Sequence, residues 1–293
     1  MCLLACVTAL GCDLDRLLEL LQPPPPASRV PQGARPWSAQ VALGAPVDAT
    51  PQDDIVLTKP QYVVSYNRFR NAPNWVAWRL TAADLGSTGR TQSSFSVDDE
   101  LPSGVYRVHH GDYANSGYDR GHLCPSAART DTVEDNAATF LTTNIVPQLH
   151  ALNAGPWESL EQWCNAMARQ GWDLYIIAGG LWPSGCATSL APSGNYPSGG
   201  CYTIGRSGDA SERIAVPAST WKVVVLLPHG AGPEAVTYNT TVFAVDMPND
   251  ASVQSNWQRY MVPVDAVEAR TGYELLSNIP AAVQAVVEAR VSL

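Results

Sequence analysis

The chain has 293 residues, 45% of them hydrophobic, enough for one substantial core. Only 15% are charged and the net charge is −9, which excludes a surface that is basic all over, the usual footprint of a general nucleic-acid binder. No apolar run approaches the roughly twenty residues of a membrane span, so an integral helical membrane protein is excluded as well.

The pattern fits a single domain with an N-terminal extension better than two domains. Met1 to Gly11 is the longest apolar run and lacks a basic start. It reads either as the end of a signal peptide or as a weakly helical leader. Thr8-Ala9-Leu10-Gly11-Cys12 resembles a bacterial lipoprotein cleavage site, in which Cys12 would carry the lipid. Leucines at 14, 17, 18 and 21 form a helical stripe that Pro23 to Pro26 stops. From there to about residue 50 the chain is rich in Pro, Ala and Gly and reads as a tether. The division is therefore a leader and tether over 1–50 and a folded domain over 51–293. The expected location is secreted, periplasmic or lipid-anchored outside the cytoplasm.

In the domain, Gln61 to Tyr66 and Trp75 to Leu80 alternate as two strands of a hairpin, with a turn over Asn71 to Asn74. Thr81 to Thr91 is a loop carrying Arg90, and Phe95 to Glu100 is an acidic turn. Val105 to His110 reads as a short strand. Residues 127–140 read as a helix starting near Asp131, and Leu141 to Val146 as an extended segment. Within it, Asn144 is placed to satisfy backbone groups. Asn153 to Gln170 is the strongest helix: Pro156 sits early, where it is tolerated, and Trp157, Leu160, Trp163, Cys164 and Met167 make a core stripe. Gly171 ends it. Asp173 to Ala178, Thr220 to Leu227 and Ala235 to Asp246 read as strands, and Val264 to Thr271 and the C-terminal stretch as helices. Strands outside a regular βαβ alternation give an α+β class, with a mixed, largely antiparallel sheet and packed helices.

Of the seven cysteines, Cys124, Cys164, Cys186 and Cys201 lie in the domain. Cys186 and Cys201 bracket a Pro/Ser/Gly-rich loop that a disulfide would close, implying an oxidising compartment. The alternative is four reduced, buried thiols. A zinc site from His122, Cys124 and Cys164 has no paired Cys-x-x-Cys spacing behind it.

The chemistry gathers around Gly117-Tyr118-Asp119-Arg120-Gly121-His122. A histidine near its ordinary pKa accepts a proton at neutral pH. Arg120 is a planar, permanent cation suited to phosphate. Tyr113 and Tyr118 could line a groove by stacking on bases, or simply pack. Glu161 follows Asn153 by eight residues. At about 100° per residue, those steps bring it to within roughly 80° of Asn153 on a helix. An amide oxygen and a carboxylate are hard ligands that suit hydrated magnesium. Base, arginine and oxygen ligands together point to phosphodiester hydrolysis.

Asp119-Arg120-Gly121-His122 resembles the DRGH motif of the DNA/RNA non-specific endonucleases. Asn144-x-x-Pro147-Gln148-x-x-x-x-Asn153-x-x-x-Trp157-x-x-Leu160-Glu161 resembles the second motif of that family. Further matches include Asn74 to Trp78, Trp221-Lys222-Val223-Val224 and Thr271-Gly272-Tyr273. The resemblance implies a ββα-metal arrangement and a metal-dependent endonuclease acting on DNA and RNA with little sequence preference. It implies His122 as general base, Asn153 as direct metal ligand and Glu161 as holder of metal-bound waters. Arg120 and Arg90 would grip phosphate oxygens, and Asp119 would orient its neighbours. Mg2+ is the implied cofactor, with Mn2+ as the alternative. DNA and RNA are the implied partners, and a homodimer and an inhibitor protein are further partners to look for. Two rival readings are a nucleic-acid-binding protein without turnover and a phosphodiesterase of small esters.

Overall fold

The computed structural model describes residues 38–91, 94–183, 186 and 201–291. The leader and most of the tether, with Cys2, Cys6 and Cys12, lie outside the described residues.

Seven strands form one sheet: β1 (Ile55–Thr58), β2 (Val63–Asn67), β3 (Ala72–Leu80), β6 (Trp172–Leu181), β9 (Ser219–Pro228), β10 (Thr241–Pro248) and β11 (Met261–Val262), in that spatial order. Every neighbouring pair is antiparallel. The expected α+β class with a largely antiparallel sheet is what the chain adopts. The central strands β6 and β9 are buried on both faces, which is why they read as continuous apolar runs rather than alternating ones.

Alternate residues of these strands feed two cores, as a strand period of two requires. Val64, Val76, Trp78, Ile176 and Val224 point to one face, where Leu152, Trp157, Leu160 and Cys164 cover them. Val63, Trp75, Ala77, Ile177 and Val223 point to the other. That second face is covered by α3 (Val264–Thr271), by α4 (Ala281–Val287) and by Val41, Leu43 and Ala45. The tether therefore ends earlier than its composition suggested. Val41 and Leu43 are each 2% exposed, so from Ser38 onward the chain is packed on the sheet. Three apolar side chains within five residues outweigh the surrounding Pro and Gly.

Between β3 and β6 the chain leaves the sheet and builds the site. Here lie β4 (Asp119–His122), α1 (Val133–Ala138), β5 (Ile145–Gln148) and α2 (Glu158–Arg169). The expected helix over 127–140 is confined to α1. It is capped by Thr132, whose hydroxyl accepts from Asp135 N at 3.0 Å. Val105 to His110 forms no strand. It has no partner strand, and Val108 instead packs with Tyr113 and Ile145 in a small satellite core. The strand expected over 235–246 starts only at Thr241, because a 3-10 turn at Pro233–Ala235 comes first.

A disulfide joins Cys186 and Cys201. It packs on Ala215 of β8 (Ile214–Ala215), which pairs with β7 (Thr203–Ile204) in a short antiparallel ladder of its own. Cys124 and Cys164 are free and buried, and burial pushes both thiols up to about 12. Among the described residues, His122, Cys124 and Cys164 are not among the groups whose ligand atoms come close enough together to hold a metal ion. Among the described residues, no helix is long and apolar enough to cross a membrane.

Candidate active site

The strands β4 and β5 pair in antiparallel register, Gly121 opposite Val146 and His122 opposite Ile145. A Cβ on Gly121 would lie 2.1 Å from Gln148 Oε1. Gln148 is fully buried and donates from Nε2 to Thr220 Oγ1 at 3.1 Å, so it has nowhere to move. Glycine is required here by close approach, not by a positive φ. Gly121→Ala is expected to destabilise the domain by about 1–3 kcal/mol through overpacking, read by urea denaturation.

His122 sits at the end of β4, in a box made by Phe95 and Phe140, each ring centroid 5.2 Å away. Its Nε2 is buried and has no hydrogen-bond partner. Its backbone carbonyl accepts from Trp157 Nε1 at 3.0 Å, which ties the start of α2 to β4. The imidazole is not near its ordinary pKa, as the sequence suggested. Burial first, and the charge of Arg90 second, lower it to about 3. The ring is therefore a neutral base with a free nitrogen throughout the neutral range. In the metal-free protein, the His122 ring protons are expected to show no NMR titration between about pH 8 and pH 5. A midpoint near the ordinary histidine value would contradict this burial.

Arg90 lies over the same box, 4.6 Å from the Phe140 ring and 6.0 Å from that of Phe95. Arg120 stacks on Tyr113 at 5.4 Å and Phe95 at 5.9 Å. Its Nε and Nη2 donate to the His110 carbonyl at 3.1 and 2.6 Å. Two of its donors are thus committed, which fixes the plane of the guanidinium. Both arginines share aromatic platforms with His122, so the three predicted residues come together.

The Asp119 carboxylate reaches two neighbours. Its Oδ2 accepts from Asn153 Nδ2 at 3.0 Å and contacts His150 Nδ1 at 2.8 Å. With its amide nitrogen held this way, Asn153 has its oxygen left over. Asn153 is not a helix N-cap. It lies in a kinked segment, Asn153–Trp157, that comes after a short turn at His150–Leu152 and leads into α2. The kink is at Gly155, whose φ −114° and ψ −114° are not helical, and Pro156 comes next with no N–H to give.

Glu161 meets the sheet at Lys222. Its Oε1 lies 3.5 Å from Lys222 Nζ, an ion-pair contact without hydrogen-bond geometry. Lys222, on β9, is 1% exposed, with its ammonium 4.0 Å from the Trp157 ring and 5.5 Å from that of Trp78. Burial raises the Glu161 carboxyl to about 7 despite the opposing pull of Lys222. The kink at Gly155 breaks the simple eight-residue helical spacing, and Asn153 and Glu161 make no hydrogen bond to each other.

Sequence reasoning missed His150, Lys222, Phe95 and Phe140 as members of the site. For Lys222 a signal existed: one lysine inside the apolar run Trp221 to Leu227. The oxygens fit a hard divalent cation. Asn153 Oδ1 accepts no hydrogen bond among the described residues, and Glu161 Oε1 is buried without one.

The family profile described as DNA/RNA non-specific endonuclease matches residues 41–282. A nuclease of Nostoc sp. is 42% identical over 87% of this chain and 86% of its own length. Human mitochondrial endonuclease G is 27% identical over 76% of this chain and 69% of its own. In fold, the chain is similar to a solved structure of an EndoG/EndoGI complex, with a TM-score of 0.65 at 24% identity, covering 84% of this chain and 94% of that one. The hairpin, the helix and these relatives together place the chain in the DNA/RNA non-specific endonuclease family, as a nuclease.

Proposed function

We propose that this nuclease cleaves the phosphodiester backbone of DNA and RNA by His122-assisted attack of water, in a reaction that requires Mg2+. One observation carries the reading: the imidazole of His122 is held neutral beside Arg90 and two residues along the strand from Arg120. The His122 ring takes the proton of the attacking water. The new bond forms between that oxygen and phosphorus, and the bond to the departing sugar oxygen breaks. Arg90 and the free N–H groups of Arg120 face the non-bridging oxygens and stabilise their growing charge. Asn153, held through Nδ2 by Asp119, would bind the metal directly with Oδ1, and Glu161 would hold its waters. Bound there, the metal would supply a Lewis acid for the phosphate and for the leaving oxygen.

Contacts confined to phosphate explain indifference to sequence and sugar. The net charge of −9 makes local cations essential, so binding is expected to weaken steeply with salt. The Cys186–Cys201 disulfide supports a location outside the reducing cytoplasm. The test is incubation with supercoiled plasmid and with RNA. Both are expected to be cut in Mg2+ or Mn2+ and left intact in chelator, with cutting restored when metal is returned. Undiminished cleavage in chelator would overturn the metal requirement. Turnover of a small nitrophenyl diester with none of either polymer would favour the small-ester reading.

A further inference from the structure

Away from β4 and β5, the short stretch before β1 brings three carboxylates together. Asp48, Asp53 and Asp54 each offer an oxygen, and these oxygens all lie within 4.8 Å of one another. Three negative charges that close repel strongly unless a cation or protons intervene.

The surrounding hydrogen bonds leave one buried oxygen over. Asp54 Oδ1 accepts from the Ser65 hydroxyl and from Asn74 Nδ2. Asp48 accepts from Thr50 N at 2.7 Å and Thr50 Oγ1 at 2.8 Å, so the Thr50 hydroxyl proton is used there. Asp53 is 5% exposed, and its Oδ2 accepts from Asn67 Nδ2 at 2.9 Å. Its Oδ1 is buried and has no partner. An orphaned carboxylate oxygen in a buried place costs free energy that something must offset.

The neighbouring arginine does not supply the partner. Arg70 donates from Nη1 to Asn74 Oδ1 at 2.7 Å and from Nε to the Cys186 carbonyl at 3.4 Å, and it stacks on Trp182 at 4.7 Å. It makes no hydrogen bond or ion pair with any of the three aspartates. Burial pushes the Asp53 carboxyl up; the Arg70 charge opposes this, and the charges of Asp54 and Asp48 add to it. A cavity of about 290 Å³ opens beside the cluster, bounded by Asp48, Thr50, Asp53, Arg70, Trp182 and Tyr273.

We propose that Asp48, Asp53 and Asp54 bind a divalent cation of the calcium type, at a site separate from Asn153 and Glu161. The donors are all oxygen, and the cavity has room for waters to complete the shell. Calcium accepts such an irregular set of several carboxylates, whereas magnesium prefers one or two carboxylates and strict octahedral geometry. Asn67 and Asn74, on β2 and β3, hold the ligating carboxylates from behind, as supporting shells of metal sites do. The ion would lock the segment before β1 onto the β2–β3 hairpin, giving it a structural role rather than a catalytic one.

The test uses the full chain and Ca2+ itself, with Tb3+ as a luminescent substitute. Tb3+ at this site is expected to show emission sensitised by Trp182 and Tyr273, removed by competing Ca2+. Equilibrium dialysis is expected to find a Ca2+ site that survives Asn153→Ala and weakens roughly tenfold or more in Asp53→Asn. Ca2+ is also expected to raise the Tm of the wild type but not of that variant. If Asp53→Asn fails to fold, Asp48→Asn, at a half-buried position, reads the same loss. No Ca2+ bound by the folded wild type, or binding unchanged in both Asp→Asn variants, would overturn the site. Loss of all binding in Asn153→Ala would assign the ion to the catalytic site and overturn it equally.

Discussion

His122→Ala is expected to lower kcat on both plasmid and RNA by about 10²–10⁴, the range a positioned general base contributes. The fold is expected to survive, because Trp157 donates to the His122 backbone carbonyl and not to its ring. Metal affinity is expected to be unchanged, because Asn153 is oriented by Asp119 and not by His122. This separates the base from the metal ligand: Asn153→Ala is expected to raise the Mg2+ concentration needed for half-maximal rate, while His122→Ala lowers the plateau at saturating Mg2+. Initial rates over a Mg2+ titration check both. A plateau within tenfold of wild type for folded His122→Ala would remove His122 from the proton transfer.

Lys222→Met is expected to cost about 3–5 kcal/mol at pH 8, measured by urea denaturation. Breaking one side of a buried ion pair leaves the other charge uncompensated. Here Lys222 is 1% exposed and its partner Glu161 is 13% exposed, so water does not replace the lost contact. The pH dependence has a definite sign. The Glu161 carboxyl is already raised to about 7 by burial, and removing the ammonium that opposes burial raises it further. A raised folded-state carboxyl favours folding when protonated, fully so below its ordinary value. That contribution is lost as pH rises through the folded value. The cost of Lys222→Met is therefore expected to be small at pH 5 and large at pH 8. Adding Glu161→Gln to Lys222→Met is expected to recover most of the loss. Equal costs at the two pH values would show that packing on Trp157 and Trp78, not charge, sets the penalty.

The site was legible where chemistry and spacing coincide in the chain. Asp119 to His122 form one strand, so their order in sequence is their order in space. Asn153 is placed by the kinked segment that comes soon after β5, the strand paired with β4. Partners brought in by the sheet were not legible. Lys222 reaches Glu161 only because β9 runs beneath α2, and Phe95 reaches His122 only because its loop folds back over β4. The neutral state of His122 was hidden for the same reason, since burial belongs to tertiary packing. In the fold, the strong signals were long apolar runs, which became β6 and β9. Val105 to His110 had strand-like residues and no neighbour to pair with, and propensity without a ladder made no strand. The segment from Ser38 to Ala45 was misread because the Pro-rich chain before it set the reading, while three apolar anchors, Val41, Leu43 and Ala45, decide its packing.

Apart from Lys222 on β9, the catalytic assembly is one excursion, residues 81–171, leaving at the end of β3 and returning on the adjacent strand β6. That connectivity bears on how the molecule folds. The pairing of β3 with β6 closes a long loop, whose entropy is spent before any central sheet contact rewards it. Refolding is then slow for the size of the domain, in the regime of non-local β proteins. It also frees the excursion to vary. Insertions or deletions within it change the cleft without altering the order of any strand in the main sheet.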